Sequence, residues 1–156
     1  MGREIERKYL VRDNQVLEGR EGVYYRQGYI PGRERAALRC RIKDGKGFLT
    51  LKAGKGISHS EFDYQIPLGD AEEILELLCE KPFIEKTRYE IEHAGLVWEV
   101  DVFHAENEGL VVAEVELERE DQKVEVPPWV GEEVSQDARY FNASLAVDPY
   151  KNWGSG

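Results

Sequence analysis

Apolar and polar residues alternate with period two through most of the chain, the spacing of strands whose successive side chains point to opposite faces. The alternation predicts strands at roughly 3–11, 23–30, 37–44, 47–53, 60–66, 84–93, 96–103 and 110–118. Asp44-Gly45, His93-Ala94-Gly95 and Glu108-Gly109 fall between consecutive runs, where glycine-bearing reversals join antiparallel neighbours. Two stretches change to helical spacing. One opens with Asp70 as cap and Glu73 three residues on, carries Ala71, Ile74, Leu75 and Leu78 on one stripe, and stops before Pro82. The other starts near Ser135, places Ala138, Phe141 and Leu145 on one face, and ends before Pro149. The predicted architecture is therefore α+β, mainly antiparallel, with about eight strands, enough to close into a barrel around one small ligand.

The polar faces of these strands are charged. Glu4, Glu6 and Lys8 oppose Ile5, Tyr9 and Val11; Arg39, Arg41 and Lys43 oppose Leu38, Cys40 and Ile42; Glu114, Glu116 and Glu118 oppose Ala113, Val115 and Leu117. Glu61 with Asp63, Lys86 with Arg88, and Glu99 with Asp101 repeat the pattern, and Lys52 joins them from the fourth strand. One solvated face is the ordinary meaning of such alternation. Glu, Asp and Lys are nonetheless depleted in strands, and a merely wet face would carry more Thr, Ser and Gln. If the charges point inward, they must pair, bind ions or meet a ligand, because an unpaired buried ion costs several kcal/mol. Their grouping by sign is informative. Like-charged Glu4/Glu6 and Glu114/Glu116 favour a cation between them, and an all-oxygen set suits Mg²⁺ or Mn²⁺. Arg39/Arg41 and Lys86/Arg88 favour an anion with several oxygens, such as phosphate. Acids for metal and bases for phosphate are the requirements of phosphoryl transfer.

Composition narrows the reading. A chain of 156 residues with 41% apolar and 33% charged residues is expected to form one domain spanning 1–156. A net charge of −10 argues against a general nucleic-acid or membrane-surface binder, so any polyanion site must be local. Cys40 and Cys79 have no metal-ligand spacing, the first eleven residues lack a signal-type apolar core, and no run is long enough to span a membrane. A cytoplasmic location is expected. His59, His93 and His104 read as loop or surface histidines, Trp98 and Tyr89 as core, and Tyr24, Tyr25 and Tyr29 as strand-forming aromatics, with stacking on a base or thiamine ring as the alternative.

Taken in order, Glu4-Ile5-Glu6-Arg7-Lys8 (E-x-E-x-K), Arg39-x-Arg41, Thr50-Leu51-Lys52, Glu61/Asp63, Lys86-x-Arg88, Trp98-Glu99-x-Asp101 and Glu114-x-Glu116 closely resemble the CYTH family. These triphosphate tunnel metalloenzymes are named for class IV adenylate cyclase and thiamine triphosphatase. The resemblance is close to full length. It implies a closed eight-stranded antiparallel tunnel with flanking helices that holds a triphosphate. It assigns metal coordination to Glu4, Glu6, Glu61, Asp101, Glu114 and Glu116, phosphate contacts to Arg39, Arg41, Lys52, Lys86 and Arg88, and an activating or orienting catalytic role to Lys8. Some branches add a C-terminal base, for which Arg139 and Lys151 are both candidates. The chemistry so implied is Mg²⁺- or Mn²⁺-dependent attack of water on a terminal phosphorus, with inorganic tripolyphosphate the favoured substrate. Class IV adenylate cyclase, thiamine triphosphatase and nucleoside triphosphatase chemistry are the enzymatic alternatives; a non-catalytic polyphosphate- or nucleotide-binding module and a salt-bridged structural barrel are the others. The expected partner is a small-molecule triphosphate, with neither nucleic acid nor membrane, and a homodimer is compatible with the sequence.

Overall fold

A computed structural model describes residues 3–31, 36–54 and 57–153. Its strands are β1 (Arg3–Val11), β2 (Val23–Ile30), β3 (Ala37–Lys43), β4 (Lys46–Ala53), β5 (Ser58–Ile66), β6 (Ile84–His93), β7 (Leu96–Phe103), β8 (Val111–Glu116) and β9 (Val130–Glu133); its helices are α1 (Leu68–Leu78) and α2 (Asn142–Val147). The sheet order β5-β4-β3-β2-β6-β7-β8-β1 closes on itself through a β1–β5 pairing, making the eight-stranded antiparallel barrel that the alternation predicts. Two reversals are tight. Asp44 and Gly45 have φ of 51° and 68°, and Ala94 and Gly95 have φ of 52° and 82°. Positive φ at both central residues matches the twist of the flanking strands.

β1 is the seam. Glu6 to Leu10 pair with β8 on one side, while the other side is divided: Arg3 to Ile5 pair with β5, and Tyr9 and Val11 pair with β9. Between these pairings Val134 donates its N–H to the Lys8 carbonyl at 2.8 Å and the Ser135 hydroxyl accepts from the Lys8 N–H at 2.9 Å. Sequence alternation misses β9 because Val-Gly-Glu-Glu is too short and too polar to register as a strand.

The outer face is the apolar one. Ala71 and Leu75 of α1 pack on Cys40, Ile42 and Leu49 of the β3–β4 wall. A Cβ at Gly47 would stand 2.5 Å from the Ala71 methyl, so only glycine lets the helix lie this close. The helix begins at Leu68, with Pro67 at its cap position and no side-chain cap bond. Asp70 is therefore not the cap but a first-turn carboxylate facing the positive helix end. The opposite wall buries Tyr9, Trp98, Val100, Ala113 and Val115 beneath Val16, Leu17, Val124 and Trp129.

The second predicted helix is broken. Asp137 accepts from the Arg139 N–H to start a short turn at Ala138–Tyr140, Phe141 is extended (φ −72°, ψ 138°), and only Asn142–Val147 is α-helical. The break directs Leu145 and Ala146 onto Leu10, Ile84, Phe103 and Val112. Those four residues share inward parity with Lys8, Lys86, Asp101 and Glu114, so α2 closes an apolar end of the barrel. Among the described residues no helix is long and apolar enough to cross a membrane.

Candidate active site

The charged faces converge. A cavity of about 290 Å³ is lined by Glu4, Glu6, Lys8, Arg39, Arg41, Lys52, Glu61, Lys86, Arg88 and Glu114, together with Tyr29, His59, Glu99, Ser135, Phe141, Asn142 and Ala143 among others. Of the residues proposed from sequence, Asp101 and Glu116 do not line it.

Register explains the acidic side. Glu4 stands opposite His59 across β1–β5, with Glu61 two residues further along the same face; across β1–β8, Glu6 stands opposite Glu116 and Lys8 opposite Glu114, and Glu114 in turn faces Glu99 on β7. The carboxyls titrate in unlike ways. Burial, a hydrogen bond with Glu61 and the charge of Glu6 push Glu4 up to about 9. Burial and the charge of Glu114 push Glu6 up to about 8. Against burial, His59, Glu4 and Arg39 hold Glu61 well below the usual carboxylate range. Lys8, Arg88 and Lys86 do the same for Glu114, again against burial. In each pair, Glu4 with Glu61 and Glu6 with Glu114, one carboxyl is thus driven up and its neighbour down. A divalent cation relieves the repulsion between such carboxylates, and the buried His59 Nε2, 3.5 Å from Glu61 Oε2, has no hydrogen-bond partner among the described residues. The donor set fits a divalent cation.

The basic side is built around two anchors. Asp101, 1% exposed, accepts from Lys86 Nζ at 2.9 Å and from Arg88 Nε and Nη2 at 2.7 and 2.8 Å. Despite its burial it is held low by Arg88 and Lys86. Tyr25 is the second anchor: its ring lies 4.8 Å from the Arg41 guanidinium, 5.1 Å from that of Arg88 and 5.7 Å from Lys86 Nζ, placing three like charges around one π system. The Gln27 and Asn142 amides complete the lattice. Arg41 Nε donates to Gln27 Oε1 at 2.6 Å, while Asn142 Oδ1 accepts from Lys86 Nζ at 3.1 Å and from Gln27 Nε2 at 3.4 Å. Burial, against the pull of Asp101, brings Lys86 down to about 7, and burial beside Arg39 and Arg88 brings Arg41 down to about 9. An anion binding there relieves repulsion among cations already desolvated.

Several placements differ from expectation. Asp101 gives its oxygens to Lys86 and Arg88 and so stands among the bases rather than on the cavity wall. Glu116 faces Glu6 in register yet is exposed. Arg139 pairs with Asp137 and Lys151 with Glu106, and neither lines the cavity. His59 is no loop histidine but a β5 residue, 7% exposed, inside the barrel. Tyr25 stacks beneath protein cations, which leaves Tyr29 as the cavity-lining member of its group. Gln27 was within reach of parity, since it alternates with Tyr25 and Tyr29; Asn142 carried no sequence signal.

The CYTH domain family model matches residues 2–150. The chain belongs to the CYTH family. Among curated relatives, the inorganic triphosphatase of Acetivibrio thermocellus is 49% identical over 98% of this chain and 99% of its own length. The inorganic triphosphatase of Nitrosomonas europaea is 38% identical over 92% of this chain and 97% of its own. The crystal structure of the inorganic triphosphatase NE1496 superposes with a TM-score of 0.68 at 38% identity, covering 92% of this chain and 94% of that one. A CYTH barrel sharing this much sequence with triphosphatases narrows the chemistry expected of the cavity.

Proposed function

We propose that this CYTH protein hydrolyses inorganic tripolyphosphate in the cytoplasm, releasing phosphate, with Mg²⁺ or Mn²⁺ as its cofactor. The observation carrying the proposal is the enclosed meeting of a carboxylate wall and a guanidinium-ammonium wall in one cavity. Two curated relatives named inorganic triphosphatase support it. Size supports it too: about 290 Å³ lies just below the roughly 300–1,000 Å³ of ligand sites, which favours a bare polyphosphate over a nucleotide.

In this reading Glu4, Glu6, Glu61 and Glu114 would hold the cation, whose chemistry there would be charge neutralisation and a lowered pKa for the attacking water. Arg39, Arg41, Lys52, Lys86 and Arg88 bind the phosphate chain and neutralise charge that grows on the leaving group. Lys8, anchored by its contact with the Tyr140 carbonyl at 3.2 Å, orients the reacting end. Asp101 acts through Lys86 and Arg88, and α2 excludes water from the apolar end of the barrel. The test is phosphate release from tripolyphosphate and from ATP with each metal. Rapid release from tripolyphosphate is expected; cyclic AMP from ATP, or tight tripolyphosphate binding without turnover in any divalent metal, overturns the proposal.

A further inference from the structure

We infer that Tyr29 and Asn142 contact the substrate directly, as uncharged hydrogen-bond donors to phosphate oxygens at the end of the cavity that α2 closes. Neither belongs to the charged set that the proposed function uses, and the inference rests on that function for the identity of the anion.

Hydrogen-bond accounting around Gln27 fixes which protons are left over. Gln27 is fully buried, and its Oε1 accepts from Arg41 Nε at 2.6 Å. A guanidinium has donors only, so that edge of the amide is the oxygen and the other edge donates. Gln27 Nε2 donates to the Tyr29 hydroxyl at 3.5 Å and to Asn142 Oδ1 at 3.4 Å. Lys86 Nζ donates to the same Asn142 oxygen at 3.1 Å. An ammonium also has no acceptor, which orients the Asn142 amide in turn: Oδ1 faces the base and Nδ2 is turned away from it. Tyr29 therefore uses its oxygen as an acceptor and keeps its proton, and Asn142 keeps both Nδ2 protons. Among the described residues none of these protons has an acceptor, and both side chains line the cavity.

Their placement suits an anion held by the bases. The Tyr29 ring packs on the apolar cluster around Ile84, Phe103 and Leu145, and Tyr29 stands opposite Arg39 across β2–β3. Asn142 is the first residue of α2. Phosphate oxygens bound by Arg39, Arg41 and Lys86 are thus brought beside a phenol and an amide. A donor bond to an anionic oxygen is stronger than one between neutral groups, and these two groups make it without adding to the repulsion among the bases. The two kinds of contact differ in a measurable way. Attraction between full charges weakens as salt rises; a hydrogen bond from an uncharged donor does so far less.

The experiment measures tripolyphosphate binding by calorimetry with a chelator present, so that turnover does not intervene, in the full chain and in its Tyr29→Phe and Arg39→Gln variants at several salt concentrations. Tyr29→Phe keeps the ring and loses only the hydroxyl. It is expected to weaken binding about tenfold, with a salt dependence parallel to wild type and little change in unfolding midpoint, whereas Arg39→Gln flattens the salt dependence. Unchanged affinity in Tyr29→Phe overturns the inference. So does a loss with a flattened salt dependence, which would mean that the hydroxyl acts through the bases. In the wild-type protein, whose signals depend on no variant's folding, the Asn142 Nδ2 protons must shift downfield on adding tripolyphosphate; their silence is equally fatal. Phosphate release separates the two claims. Turnover of tripolyphosphate with wild-type affinity in Tyr29→Phe leaves the proposed function and removes the two donors; weakened binding in Tyr29→Phe, in a protein that never turns over tripolyphosphate, does the reverse.

Discussion

Replacing Asp101 by Asn tests whether this carboxylate positions bases or binds metal. The side chain is 1% exposed, lies between Lys86 and Arg88, and accepts three charge-assisted bonds of 2.7 to 2.9 Å from them. Asn keeps the shape and loses the charge, leaving two buried cations with Glu114 and Glu99 as their nearest counter-charges, at 3.4 and 3.3 Å from Arg88. Removing one partner of a buried pair costs about 3–5 kcal/mol because the remaining charge stays desolvated. At roughly 2–4 °C per kcal/mol for a chain of this size, the melting temperature should fall by roughly 6–20 °C. Saturating tripolyphosphate should restore part of the loss, since a polyanion supplies the missing counter-charge. Urea unfolding with and without tripolyphosphate measures both effects, and Mn²⁺ titration measures the alternative. Unchanged stability with Mn²⁺ affinity lowered tenfold or more would refute the positioning role and return Asp101 to the metal ligands.

Cation binding should tighten as pH rises through about 8 to 9, because Glu6 and Glu4, at about 8 and about 9, must lose their protons to the cation. The corresponding stability term has a definite sign: carboxyls raised by folding stabilise the metal-free protein below their unfolded values, and that contribution disappears as pH climbs through 8 to 9. Calorimetry in buffers of different ionisation enthalpy reads the released protons, and pH-independent binding between 6 and 9 would contradict the assignment. Asn142→Ala removes the amide acceptor from Lys86 and Gln27; hydrogen bonds to charged groups contribute about 1.5–3 kcal/mol, so KM for tripolyphosphate should rise at least tenfold, and an unchanged KM would show that Asp101 alone positions Lys86. Arg41→Lys loses both the 2.6 Å bond to Gln27 and the stack on Tyr25, and should raise KM about tenfold with little change in unfolding midpoint; wild-type kinetics would mean that point charge, not the planar fork, is what the substrate needs.

The strands and their two faces were legible because period two is a local property. Which residues share a side of β1, β3 or β8 follows from counting, and the density of Glu, Lys and Arg on those sides marked them as unlike a solvated surface. The helices were less legible. The stripe Ala71-Ile74-Leu75-Leu78 placed α1, but its cap was misread because Asp70 fits the cap pattern while the chain already turns into helix at Leu68. The second stripe ran across an extended Phe141, whose conformation is decided by the barrel end that Leu145 and Ala146 must cover.

Counting along the chain is enough to establish parity: Glu4, Glu6 and Lys8 share one face, Arg39 and Arg41 another, because successive side chains in a strand alternate. Adjacency between strands distant in sequence comes instead from the closed barrel. The β1–β5 closure brings His59 against Glu4, the β6–β7 register puts Asp101 opposite Arg88, and α2 delivers Asn142 to Lys86. Local periodicity carries no information about those pairings. They follow from closing the sheet, burying its apolar exterior beneath α1 and the loops around Trp129, and enclosing charges of both signs where each finds a partner.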